Sequence, residues 1–221
     1  MYNIINQMKL HSFAAEILFF SLIFLGFAVP PFFHLAASVP EGVFSEWTFP
    51  LTQLVLAAVA LGIYMIFREK TERSLIFFPV IFTVSLLFCL ALILKFVSSL
   101  HFFAHKPAFE VARPSTIIQW IFCLLNFLLA AFYEEIIYRF YLPDALLRII
   151  SRKSGSRARL YFCEIFAGAL FAAGHFYLGA LAVVNAAGAH VVLRRCYKIT
   201  GTIWCGVCAH FIYNVISLIL L

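Results

Sequence analysis

Along most of this chain nearly every position is apolar, and the apolar runs are interrupted only by short polar clusters. A helix that is apolar on all sides meets lipid or a packed core on every face. A bilayer-spanning helix takes about 20 such residues, and seven stretches approach that length: 13–36, 48–67, 75–97, 117–141, 160–178, 180–193 and 202–221. The sixth is short, so the fifth and sixth are expected as one broken pair or as unusually tilted helices. No polar stretch between them could hold a soluble domain, and no internal repeat is evident. The expectation is an all-α polytopic membrane protein of about seven transmembrane helices, a single transmembrane domain over residues 1–221.

Composition agrees. The chain is 64% hydrophobic and 12% charged, with a mean hydropathy of +1.01, whereas soluble domains carry about 25% charged residues. The net charge of +6 is topological in its distribution. Lys9, then Arg68, Lys70 and Arg73, then Arg148, Arg152, Lys153, Arg157 and Arg159, then Arg194, Arg195 and Lys198 fall at alternate ends of the segments. The opposite ends carry only Lys106 and Arg113. Positive-inside bias then expects the N-terminus in the cytoplasm and the C-terminus outside, in a bacterial inner membrane. Anionic lipid is the expected contact of the basic loops, and nucleic acid is not an expected partner. The first apolar run is too long for a signal peptide and lacks a small-x-small cleavage site, so it reads as a retained span.

Against this background three ionisable residues stand out inside the fourth segment, Glu134, Glu135 and Arg139. An uncompensated charge at mid-bilayer costs from ~2.5 to over 10 kcal/mol, so such a cluster marks a site. Glu135 and Arg139 stand four apart, on one helical face, and can neutralise each other. Glu134 is rotated off that pair and free to face a cavity, where a desolvated carboxylate suits general-base work. The fifth segment adds Phe171-Ala-Ala-Gly-His175, and the seventh adds His210 and Asn214 at i,i+4. Together these supply a base, a second base or acid and hydrogen-bond donors, the set needed for attack of activated water on a peptide carbonyl. Glu134, His175 and His210 could alternatively hold a catalytic zinc. Taken singly, the glutamates also fit an ion-coupling site, and each histidine fits interhelical hydrogen bonding.

In order and spacing, E-E-x-x-x-R, F-x-x-x-H and H-x-x-x-N on separate apolar segments resemble the CPBP family of intramembrane proteases. That family includes the type II CAAX prenyl proteases and relatives linked to bacteriocin processing and immunity. The resemblance covers about 117–218. It implies that Glu134 and His175 activate water, that His210 and Asn214 hold the oxyanion, and that Glu135, Arg139 and Phe171 support them. It further implies a glutamate-type endopeptidase that requires no cofactor, with zinc as the alternative, acting on a membrane-associated peptide or protein. Two other classes remain as rivals. A proton- or ion-coupled transporter would usually show repeated broken helices, and none is seen. A non-catalytic immunity or scaffold protein would keep the same architecture.

Straight spans raise a conflict of depth. From Ile117, Glu134 would lie about 25 Å below the outer face, and from Leu160, His175 would lie about 22 Å above the inner one. In a core of about 30 Å these do not coincide, so the fourth segment must begin deeper or the fifth must begin inside the basic loop. Pro143 is expected to end or kink the fourth helix, with Asp144 capping the next. Glu16 and Lys95 read as interfacial, and Glu164 as a partner of the basic loop. His190 is a candidate polar group near the cavity. Cys205-x-x-Cys208 reads as packing, and the pair His101 and His105 as interfacial.

Overall fold

The computed structural model describes residues 13–30, 47–68, 77–99, 113–151 and 156–220, and among these every regular element is helical. Helix α1 is Phe13–Ile23 and passes into a π-helical turn, Phe24–Ala28. Next come α2 (Leu51–Phe67), α3 (Phe77–Ser99) and α4 (Ile117–Glu134). A second π-helical stretch, Glu135–Tyr141, joins α4 to α5 (Leu142–Ile150). Helix α6 (Arg157–Ala173), a 3-10 turn (Phe176–Leu178), α7 (Ala180–Thr200) and α8 (Ile203–Leu220) complete it. Lys9, Lys70, Arg73, His101, His105, Lys106, Arg152 and Lys153 lie outside the described residues.

Among the described residues three helices can cross a membrane by length and composition: Phe77–Ser99, the continuous helix Ile117–Ile150 and Ile203–Leu220; Phe13–Ala28 and Leu51–Phe67 are shorter apolar helices. Large side chains such as Phe77, Ile117, Ile165 and Val191 are turned outward, as they are in a protein whose solvent is lipid. The chain is an integral membrane protein. The expected number of about seven spans is not confirmed by the described residues, which supply three on length and composition.

Local signals set the ends. Thr116 caps α4 through a reciprocal capping box with Gln119, and the Ser156 side chain accepts from the Arg159 N–H at the start of α6. Gly201, at φ +69°, ends α7 in the left-handed conformation that glycine adopts without penalty.

Three expectations about these elements change. The sixth segment is not short, since α7 runs 21 residues to Thr200, so Arg194, Arg195 and Lys198 belong to a helix and not to a loop. Helices α6 and α7 pack together as a hairpin around the turn at Gly174–Gly179. Pro143 does not end the fourth helix, which continues to Ile150. Proline is tolerated here because it falls in the first turn of α5, where a missing N–H costs least.

The apolar interior has two parts. One joins α1, α2, the 135–141 stretch and α6 through residues such as Phe27, Tyr64, Ile137 and Phe171. The other joins α3, α7 and α8 through Leu87, Leu193 and Ala209. All seven residues of the 135–141 stretch are buried, so the segment bearing the charges is also the centre of the packing.

Candidate active site

The motif glutamates sit at the junction between α4 and its π-helical continuation, the kind of irregularity that recurs at functional sites. Glu135 is 1% exposed and Arg139 fully buried, with Arg139 Nε 3.5 Å from Glu135 Oε1. The expected i,i+4 brace is therefore present. Arg139 also lays its guanidinium over the Phe171 ring, 3.8 Å from the centroid, a cation–π contact strengthened by desolvation.

His210 of α8 lies between the two carboxylates. Its Nδ1 is 3.0 Å from Glu135 Oε1 and its Nε2 is 3.7 Å from Glu134 Oε2. The sequence expectation set Glu134 with His175 as the pair that activates water; in the structure His210 is also a histidine neighbour of Glu134, and Tyr133 hydrogen-bonds the Glu134 side chain. The phenols of Tyr138 and Tyr177 lie within electrostatic range of the same carboxylate. Glu134 keeps 16% of its side chain exposed, against 1% for Glu135.

His175 stands just beyond the end of α6. Its Nδ1 lies 2.9 Å from the Phe171 carbonyl oxygen. A carbonyl can only accept, so Nδ1 carries the proton and Nε2 of the neutral ring is left as an acceptor. The His175 ring is 4.7 Å from the Phe171 ring, and His190 and His210 are 6.1 and 6.5 Å from it. One aromatic ring is thus the hub on which all three motifs converge. The conflict of depth disappears for a structural reason. Glu134 is near the middle of a 34-residue helix, about 50 Å long, and α6 begins at Arg157, inside the basic loop.

Asn214 follows His210 by one turn on α8 and is partly buried. Its neighbour Tyr213 is buried and accepts from Asn185 Nδ2 at 2.8 Å. His190 is buried with no hydrogen bond to either ring nitrogen among the described residues. It packs so closely on Gly168 that a Cβ there would meet its Cδ2 at 2.9 Å. Gly206 serves the same purpose for Glu135, since a Cβ at that position would stand 2.7 Å from Glu135 Oε2.

Sequence reasoning missed Gly206, Asn185, Tyr133 and Tyr177. Asn185 alone carried a readable signal, a single amide in an apolar run. It also misjudged Asp144 and Glu164, which do not serve as a helix cap and a loop partner. Both bond Arg194, at 2.9 Å from Asp144 and at 2.8 and 2.9 Å from Glu164, and Lys198 Nζ is 2.7 Å from Glu164.

The six cysteines form no disulfide. Among the described residues no group of three or more His, Cys, Asp or Glu side chains is arranged to hold one metal ion. A small recess bounded by Glu16, Phe67, Tyr141, Ala145, Arg148 and Ile149 shares no residue with the motifs.

A helical integral membrane protein with carboxylates, histidines and an arginine gathered inside its core belongs among intramembrane enzymes and transporters. Comparison with family models points to one of these classes. Residues 116–216, a little under half of the chain, match the family described as type II CAAX prenyl endopeptidase Rce1-like, in keeping with the CPBP resemblance carried by the motifs. Over that region the chain is similar to the Rce1-like family, a likeness that supports a CAAX-type intramembrane protease at family level. Comparison with curated proteins and with solved structures gave no match.

Proposed function

We propose that the chain is a glutamate-type intramembrane endopeptidase in which Glu134 and His175 activate the attacking water. Glu134 takes the proton, the hydroxide adds to the scissile carbonyl, and the same proton is passed to the leaving amine as the tetrahedral intermediate collapses. The neutral His175 ring, with Nε2 as acceptor, holds and orients the water. His210 and Asn214 donate to the developing oxyanion. Glu135 and Arg139 brace the helix beneath them, and Phe171 spaces the three motifs. The observation that carries this reading is the seat of His210 between the two glutamates, 3.0 Å from one and 3.7 Å from the other.

The substrate in this reading is a membrane-associated peptide or protein, cleaved near or within the bilayer. No metal is required by it, and zinc on Glu134, His175 and His210 is the alternative that chelation tests. The orientation that goes with it has the N-terminus in the cytoplasm of a bacterial inner membrane and the C-terminus outside. Its support is the clustering of Arg148, Arg157, Arg159, Arg195 and Lys198 at the end of α5, the start of α6 and the end of α7.

The test compares membrane and secreted peptides from cells carrying the native protein or Glu134→Gln at matched expression. An uncut precursor that accumulates only with the variant is the expected result and names the substrate. Identical peptide profiles accompanied by a changed proton or solute flux would replace the protease with a transporter.

A further inference from the structure

We infer that Arg194, on α7, is a positioning residue that fixes the register of the glutamate-bearing helix. The inference rests on the reading of Glu134 as the water-activating carboxylate. Arg194 is 5% exposed and uses all three guanidinium nitrogens. Nε and Nη2 grip both oxygens of Glu164 at 2.9 and 2.8 Å. Nη2 also bonds Asp144 Oδ1 at 2.9 Å, and Nη1 donates to the backbone carbonyl of Arg139. Glu164 and Asp144 lie on α6 and α5, so one side chain ties three helices to a main-chain oxygen inside the motif.

That oxygen lies in the π-helical stretch, whose carbonyls look to N–H groups five residues on, as the Ile137 carbonyl does to the Leu142 N–H. Pro143 brings no N–H to this turn, and Arg194 brings a donor from another helix to one of its carbonyls. The carbonyl it holds belongs to Arg139, whose side chain meets Glu135 and Phe171, and Glu135 in turn holds His210. Holding this one carbonyl therefore sets the rotation of the segment that carries both glutamates.

The fork geometry is essential. A lysine keeps the charge but presents a single ammonium, which cannot span a carboxylate pair and a carbonyl together. Arg194→Lys is expected to accumulate in membranes while cleavage of the precursor trapped by Glu134→Gln falls about 10- to 100-fold, the scale of small misplacements at a reacting centre. A role confined to charge balance would give a different pattern in the neutral triple variant Arg194→Met, Asp144→Asn, Glu164→Gln. That variant removes the buried charges together, which folds tolerate, and it is expected to accumulate yet remain as slow as Arg194→Lys.

A second readout needs no substrate. The rate at which N,N′-dicyclohexylcarbodiimide modifies Glu134, located by peptide mass, reports the carboxylate's surroundings. It is expected to shift several-fold in Arg194→Lys. Native cleavage and native labelling in the Arg194 variants would overturn the inference. Failure of the triple variant to accumulate would also overturn it, by making Arg194 a requirement of folding. If Glu134→Gln cleaves like the native protein, the reading of Glu134 as the water-activating carboxylate falls, and the labelling rates still show whether Arg194 sets the Glu134 carboxylate.

Discussion

Gly206→Ala isolates the contact between α8 and Glu135. The added Cβ would stand 2.7 Å from Glu135 Oε2, and ordinary contact begins at 3.4 Å, so the oxygen must withdraw by about 0.7 Å, the difference of these distances. Because the two oxygens move together, a carboxylate displaced by that amount away from His210 would stretch the 3.0 Å contact of its other oxygen, Oε1, with His210 to about 3.7 Å, beyond hydrogen-bond range. Overpacking a core costs about 1–3 kcal/mol, and replacing glycine by alanine in a helix returns about 1 kcal/mol. The net loss of stability is therefore about 0–2 kcal/mol. Geometry suffers more than stability does, because misplacement near 1 Å at a reacting centre costs about 100-fold in rate. Gly62→Ala on α2 is the matched control, since no atom lies within 4 Å of its added Cβ. Both variants are made at matched expression, with abundance read by immunoblot, stability by thermal shift in detergent, and activity by cleavage of the trapped precursor. Gly206→Ala is expected to keep most of its abundance and lose about 10- to 100-fold in cleavage, while Gly62→Ala keeps both. Equal cleavage by the two alanine variants would refute the claim that the Glu135 carboxylate has no room to move.

Other outcomes follow from the same geometry. Glu135→Ala should lower abundance more than Glu134→Ala, because it strands the buried Arg139, a loss of about 3–5 kcal/mol; equal immunoblot signals would contradict the brace. Tyr138→Phe removes the hydroxyl that donates to the Phe27 carbonyl at 3.1 Å and should cost about 1–3 kcal/mol for the buried acceptor left behind, read as a lower detergent midpoint. If no metal takes part, dialysis against a strong zinc chelator should leave precursor cleavage unchanged, and loss restored by added zinc would favour the metal route.

The charges of the site were legible because an apolar background makes each one conspicuous. The Glu135–Arg139 pairing followed from spacing alone. Its partners did not, since His210 meets Glu135 across 75 positions and Arg194 meets Glu164 across 30. Arg194 looked like a loop cation because a charge at the end of an apolar run usually reaches the interface. Only packing reveals that it turns inward to two acids. Pro143 looked like a terminator because the rule for proline in a continuous α-helix does not anticipate a preceding π-turn or a donor lent by another helix. Small residues were the least visible, since Gly206 and Gly168 act through the absence of a side chain beside Glu135 and His190.

The π-helical stretch 135–141 also governs how this chain can vary in length. Removing one residue there would let the stretch close to regular α geometry while the helix beyond keeps roughly its phase, because a π-helical turn holds about one residue more than an α-turn. An inserted residue finds no such slack, and every residue beyond would turn by about 100°. Asp144 would then swing away from Arg194, and the recess lined by Arg148 and Glu16 would come apart. Substitutions can be absorbed along this segment one side chain at a time, and shortening costs only the widened turn, whereas lengthening misaligns two helices at once.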